Sequence, residues 1–135
     1  MNILKFIAAT FIGLTVAIVL IFVLETFGHS IYPPPQGVDL TDKDVLAEMI
    51  KNAPIGALLI VVAAYFVGSF VGGLIAQLIN RHAKLIDALV VGFILMIFGI
   101  FNLTSIPHPL WMVVLGILVF IPGAYIGGKL VKRKN

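Results

Sequence analysis

The sequence predicts an all-α, multi-pass membrane protein with four transmembrane helices. Hydrophobic residues make up 61% of the chain and charged residues 11%, against about 25% charged residues in soluble domains. A chain of this length could not hide so much apolar surface in one core. Its uncharged runs leave room for four crossings, since each crossing takes roughly twenty apolar residues. We therefore expect one membrane domain over residues 1–135.

The first predicted span covers about residues 2–27. Lys5 precedes an uncharged run, as in a signal peptide, but the run is long for one and "LETFGHS" contains only a poor cleavage site. We interpret the run as a retained helix. It should continue past Leu24 to about His29, which would carry Glu25 to the outer boundary of the membrane.

The outer loop, residues 28–52, should hold an extended stretch and then a short interfacial helix. "YPPP" must be extended, because proline fixes φ and keeps the preceding residue out of the helical region. "LTDKDVLAEMIKN" then predicts a helix capped by Thr41, with Asp44 three residues later. Its apolar stripe consists of Leu46, Met49 and Ile50. We expect this helix to lie along the outer interface, over the mouth of the bundle.

The three remaining spans are expected at about residues 53–80, 85–103 and 109–130. Asn52 is a candidate cap for the second span, and Pro54 suits its first turn, where a missing N–H costs nothing. "NRHAK" is a tight turn, and "TSIPHP" ends the third span. Pro109 opens the fourth span, and Pro122 should kink it.

The distribution of Lys and Arg predicts the orientation of the spans. Of the nine such residues, only Lys43 and Lys51 fall on the side of the first loop, whereas the others include the C-terminal "VKRKN". By the positive-inside rule both termini are cytoplasmic. The net charge of +3 then has anionic lipid headgroups as its partner, and nothing points to nucleic acid.

An internal repeat relates the second span to the fourth. When Pro54 is placed on Pro109, "GSFVGG" falls on "GAYIGG". The chain then resembles two helical hairpins of the same orientation, related by an axis along the membrane normal. Parallel repeats of this kind occur in transporters, but plain duplication of a stable hairpin would produce the same pattern.

Small residues recur at every fourth position in all four spans. In lipid, such positions let helix backbones approach closely. The stripes predict packing either within the bundle or against another chain. The candidate packing residues are Gly13, Gly68, Gly72, Gly92, Gly123 and Gly127.

A polar cluster is predicted on the outer side of the bundle. Glu25 and His29 are spaced i, i+4 and would share a helix face. Tyr32, Asn102 and His108 fall on the same side. This set could hydrogen-bond internally, relay a proton or bind a metal ion. Two histidines and one carboxylate without a signature spacing are a weak metal signal, so neither a metal nor a cofactor is assigned.

Asp87 is the one acidic residue expected on the inner side. It could pair with Lys84, three residues earlier, or face the bundle and contribute to an ion path. No span has a charge at its centre, which argues against a proton-driven antiporter. The chain has no cysteine and no nucleophile with a base at usable spacing, so no catalytic residues are assigned.

The motif "E-x6-YPPP", from Glu25 to Pro35, resembles a group of small bacterial inner-membrane proteins. These have four predicted helices, an acid–Tyr-Pro motif after the first helix and a second helix that ends in Gly-Gly. The resemblance implies a bacterial inner membrane and four helices. It implies no activity.

The leading functional hypothesis is a membrane scaffold or accessory subunit that packs with itself or another membrane protein through its glycine-rich faces. The alternative is a channel or carrier for a small solute or ion, favoured by the parallel repeat, the Pro122 kink and polar residues at both ends of the bundle. A membrane metal-binding protein or enzyme ranks third.

Overall fold

A computed structural model describes residues 2–82 and 84–131, which form six α-helices and no strand. Residues 132–134 of the basic C-terminus, which the orientation argument used, lie outside the described residues. The helices are α1 (Ile3–Ile31), α2 (Lys43–Lys51), α3 (Ile55–Ile79), α4 (Ile86–Ser105), α5 (Leu110–Leu118) and α6 (Phe120–Lys129).

Four helical stretches are long and apolar enough to cross a membrane: α1, α3, α4 and the combined stretch of α5 and α6. Large apolar side chains remain on the bundle surface, including Phe11 and Phe22 at 69% exposure each and Phe101 at 67%. Exposure of these side chains to lipid costs no free energy, whereas their exposure to water is unfavourable. The all-helical fold class with four membrane-spanning stretches is confirmed, and it indicates a multi-pass membrane protein.

The helix α3 is at the centre of the bundle, in contact with α1, α4, α5 and α6. Two adjacent glycines make this arrangement feasible. A Cβ atom added at Gly72 would lie 2.8 Å from the Ala17 Cβ in α1, and one added at Gly73 would lie 2.8 Å from the Ala124 Cα in α6. Only hydrogen fits at these two positions, so α3 can touch a neighbour on each side.

All six predicted packing glycines are buried. Each contacts another helix of the same chain. A Cβ atom at Gly13 would lie 2.7 Å from the carbonyl oxygen of Gly72, and one at Gly92 would lie 2.8 Å from the Ala124 Cβ. The small-residue stripes are therefore occupied by packing within the bundle.

The fourth span is divided at Val119 into α5 and α6. Pro122 has no N–H group, so it cannot donate to the carbonyl of Leu118 as a helical residue would. The helical pattern holds on either side, since the Val119 amide donates to Leu115 at 3.1 Å and the Gly123 amide donates to Val119 at 3.0 Å. The span is therefore divided next to Leu118, the residue whose carbonyl would accept the hydrogen bond that Pro122 cannot donate.

Two predicted helix caps are wrong. Asp42, not Thr41, caps α2, because its side chain accepts a hydrogen bond from the Asp44 amide at 2.9 Å. Thr41 instead donates its hydroxyl to Asp39 at 2.6 Å and its amide to Asp39 at 2.9 Å. These two bonds hold the pKa of Asp39 below its usual value. Asn52 ends α2 and does not begin α3, since its amide donates to Glu48 at 3.1 Å.

The helix ends also differ from the predicted ones by a few residues. The first helix ends at Ile31, two residues beyond the expected His29, where the Tyr32 amide donates to Gly28 at 2.9 Å. The helix α4 ends at Ser105, two residues beyond the expected Leu103. It begins at Ile86, directly after Leu85, whose backbone is left-handed with φ of 64°. Both extensions lengthen the helices at the end of the bundle that carries α2.

Candidate functional site

A cavity of about 970 Å³ lies at the end of the bundle that carries α2. It is open on one side and is lined by α2, by the Tyr-Pro-Pro-Pro segment, and by the adjoining ends of α1, α3, α4 and α5, and we call it the α2 cavity. It brings together the five residues that the sequence placed in an outer polar cluster. These are Glu25, His29, Tyr32, Asn102 and His108.

The wall of the α2 cavity is mainly apolar. The short helix α2 lines it with Val45, Leu46, Met49 and Ile50, and Ile50 also packs against the buried core of the bundle. Elsewhere α2 makes no extensive contact with another helix. This helix therefore covers the cavity without being tightly packed onto the bundle.

Tyr65 of α3 forms the floor of the cavity. Its side chain is 4% exposed, its ring stacks on Phe120 with centroids 4.9 Å apart, and its hydroxyl accepts a hydrogen bond of 2.7 Å from the Asn102 amide. Sequence reasoning missed Tyr65. It is the only tyrosine in the middle of a span. Because a buried hydroxyl needs a hydrogen-bond partner, this position in the sequence could have indicated a polar contact inside the bundle.

Glu25 lies half-buried in the wall of the cavity. Within residues 2–82 and 84–131 its carboxylate makes no hydrogen bond or ion pair. A hydrogen bond with His29 was one of the alternatives that the i, i+4 spacing left open; it does not form in the described part of the chain, where His29 is exposed in the last turn of α1. Glu25 is left as a partly desolvated carboxylate that faces a cavity.

His108 and Tyr32 lie at the rim of the cavity, where each contacts backbone groups of the same chain. The Nδ1 atom of His108 lies 3.0 Å from the Leu103 carbonyl and 2.6 Å from the Ile106 carbonyl. Since a carbonyl oxygen can only accept, Nδ1 carries a hydrogen and donates it to these carbonyls. The Tyr32 hydroxyl lies over Gly56, where a side chain could not fit.

Among the residues that the structure describes, no three histidine, aspartate or glutamate side chains lie close enough to hold a metal ion. The polar atoms of the α2 cavity are spread over its wall. They suit several separate contacts with one organic ligand better than coordination of a single ion.

The second predicted site residue, Asp87, lies at the opposite end of the bundle from α2. It has 0% exposure, whereas Lys84 is exposed and makes no ion pair with it in the described part of the chain. The expected Lys84–Asp87 pair is therefore wrong. The side chain of Asn80 is its polar neighbour, but neither carboxylate oxygen makes a hydrogen bond of good geometry.

We expect Asp87→Asn to raise the free energy of unfolding by about 1–3 kcal/mol, because the amide has the same shape without the cost of a buried charge. Equilibrium unfolding in mixed micelles of lipid and SDS measures this. Asp44→Asn is the matched control, since Asp44 is also a first-turn acid but is exposed. It should lose only about 0.3–1 kcal/mol of helix-dipole stabilisation. A loss of stability in Asp87→Asn would show that Asp87 has a favourable partner.

The fold and the α2 cavity define a multi-pass helical membrane protein with a ligand-sized cavity at one end of its bundle. Comparison with protein-family models, with curated proteins and with solved structures found no match.

Proposed function

We propose that the protein binds a small organic solute in the α2 cavity and belongs to the carrier or channel class. The observation that carries this proposal is the cavity itself. Its volume of about 970 Å³ lies in the range of about 300–1,000 Å³ that is typical of ligand pockets. A mainly apolar wall with a few polar groups is also typical of such pockets. Here Glu25, Asn102 and His108 supply the polar groups.

The scaffold hypothesis loses its main support. It required glycine-rich helix faces that remain free for another chain, but Gly72 and Gly73 contact α1 and α6 of the same chain. The six predicted packing glycines, of which Gly72 is one, are all buried. A partner would have to bind a different surface, and no feature of the sequence selects one.

The membrane arrangement that we propose is a bacterial inner membrane with both termini in the cytoplasm. The concentration of Lys and Arg on one side of the spans supports the orientation of the termini, and the resemblance of the motif from Glu25 to Pro35 implies the bacterial inner membrane. In this arrangement the two hairpins share one orientation, α2 lies along the outer interface, and the α2 cavity opens to the outside.

A carrier fits the interior of the bundle better than an open channel does. Below the α2 cavity, Tyr65 stacks on Phe120, and Leu103 at 1% exposure packs into the same buried core. These side chains close the path from the cavity towards Asp87. A solute that crosses would require this layer to rearrange, and the division of the fourth span at Val119 lies next to Phe120.

Filling the cavity tests this proposal. We expect Ala57→Phe to abolish binding of two small probes, 3-(trimethylammonio)phenol and its carbon isostere 3-tert-butylphenol, because Ala57 lines the cavity. Equilibrium dialysis against protein in nanodiscs, with empty nanodiscs as the lipid blank, measures the binding.

Ala63→Phe is the matched control, since Ala63 is an exposed residue of the same helix that does not line the cavity. Its binding should match that of the unmodified protein. The proposal fails if the unmodified protein binds neither probe above the lipid blank, or if Ala57→Phe and Ala63→Phe bind equally well.

A further inference from the structure

We propose that the solute of the α2 cavity is an organic cation with an apolar body, and that Glu25 is its counter-ion. This inference rests on the proposed function, since it names the chemical class of ligand for the same cavity. It is carried by the charge of the wall, by the unpaired state of Glu25 and by the size and polarity of the cavity.

The charged residues of the wall are all of one sign. Three carboxylates line the α2 cavity, those of Glu25, Asp44 and Glu48, and none of the lysines and arginines that the structure describes lines it. Lys43 and Lys51, at the two ends of α2, are exposed and stay outside the lining. Opposite charges attract more strongly at a partly buried site than in bulk water, because the effective dielectric constant there is about 20 and not about 80. An anionic solute would meet repulsion on both sides of the cavity.

Glu25 differs from the other two carboxylates of the wall. Asp44 and Glu48 are exposed on α2, whereas Glu25 is half-buried on α1. An ionised carboxylate out of water is costly unless a charge or a donor compensates it, and no described residue supplies either. A bound cation would provide the missing partner.

The surroundings of Glu25 suit an organic cation in particular. Tyr65 lines the same cavity as Glu25, so an aromatic ring lies in the wall that faces a cation held at Glu25. The Tyr65 oxygen accepts from Asn102, so the floor carries a fixed dipole beside the carboxylate. Tyr32 offers a second aromatic ring at the rim.

An inorganic ion fits this cavity poorly. A cavity of about 970 Å³ is far larger than a bare ion, and the described carboxylates and histidines form no cluster of three. Apolar side chains such as Leu58 and Met112 line the deeper part. They would contact the apolar body of a solute whose charged group lies at Glu25.

The two isosteric probes separate charge from shape, because they differ only in a quaternary nitrogen that replaces a carbon atom. We expect the unmodified protein to bind 3-(trimethylammonio)phenol at least tenfold more tightly than 3-tert-butylphenol. Glu25→Gln should lower binding of the cation by about tenfold, which corresponds to about 1.4 kcal/mol, and leave binding of the neutral probe unchanged. The assay is the same dialysis against loaded and empty nanodiscs.

Two further variants serve as controls. Glu25→Asp keeps the charge and should retain a preference for the cation, which separates loss of charge from loss of folding. Asp39→Asn makes the same carboxylate-to-amide change at an exposed position outside the cavity lining, and it should change neither affinity.

The outcomes distinguish this inference from the function on which it rests. If both probes bind equally and Ala57→Phe abolishes both, the cavity binds solutes and the cation inference is overturned alone. If the preference for the cation persists in Glu25→Gln, Glu25 is not the counter-ion. If neither probe binds the unmodified protein, the proposed function fails and the inference fails with it.

Discussion

Replacing Tyr65 with alanine is expected to lower the free energy of unfolding by about 3–5 kcal/mol, the range for truncating a buried aromatic side chain. At 4% exposure the ring contributes its buried area, its stack on Phe120 and its hydrogen bond with Asn102. Alanine would remove all three and leave a void between α3 and the fourth span. Equilibrium unfolding in mixed micelles of lipid and SDS measures the loss.

Two further tyrosine variants separate the contribution of the hydrogen bond from that of packing and supply an exposed control. Tyr65→Phe should cost only about 0.5–1.5 kcal/mol, because it removes the hydrogen bond and keeps the packing. Tyr125→Ala is the matched control, since Tyr125 is 39% exposed and, among the described residues, its ring has only the Lys129 ammonium, 5.6 Å away, as a specific partner. It should cost about 1 kcal/mol or less. Similar losses in Tyr65→Ala and Tyr125→Ala would contradict the role of Tyr65 as a packed floor.

Replacing Gly73 with alanine is expected to lower the free energy of unfolding by about 1–3 kcal/mol, the usual cost of overpacking. The added Cβ would lie 2.5 Å from the Ala124 carbonyl oxygen and 2.8 Å from its Cα. Because both are backbone atoms of α6, neither can turn aside. Relief requires α3 and α6 to separate, which outweighs the gain of about 1 kcal/mol in helix propensity.

Gly116→Ala is the control for this prediction. Gly116 is also buried, but the nearest atom to an added Cβ is the Leu103 Cδ1, 2.7 Å away. A leucine methyl group can rotate away, so the net change should stay within about 1 kcal/mol of zero. An equal loss at Gly73 and Gly116 would show that the contact with backbone is not the limiting factor. The same micelle unfolding assay applies to both variants.

The cavity-lining residues show how much of the candidate site was accessible from the sequence. Helix periodicity and the positions of loops placed Glu25, His29 and His108 at one end of the bundle, because a chain that crosses a membrane must bring alternate loops to the same side. Periodicity could not supply the partners of these side chains. The pairs Glu25–His29 and Lys84–Asp87 both satisfy helix spacing in the sequence, yet neither forms. Lys84 lies before α4, which begins at Ile86, and His29 is exposed in the last turn of α1.

Tyr65 and the packing glycines also show that a sequence pattern does not identify which residue a side chain or backbone will contact. A glycine stripe predicts that some backbone will approach, but it does not identify the backbone. Gly72 and Gly73 contact α1 and α6 of the same chain, and these contacts take away the main support of the scaffold hypothesis. Tyr65 became a site residue only when α4 brought Asn102 to its hydroxyl.

The sequence by itself determined the class of protein, the number of spans and the end of the bundle at which the polar residues gather. These follow from composition and from the lengths of the apolar runs. Whether a segment is stable in lipid depends on its own residues, and the number of crossings depends on how many such segments the chain contains. The tertiary structure decided which helix is central, which carboxylates lack partners and that a cavity remains beneath α2. These depend on contacts between residues far apart in the chain, and the side-chain shapes that determine such contacts leave no period in the sequence.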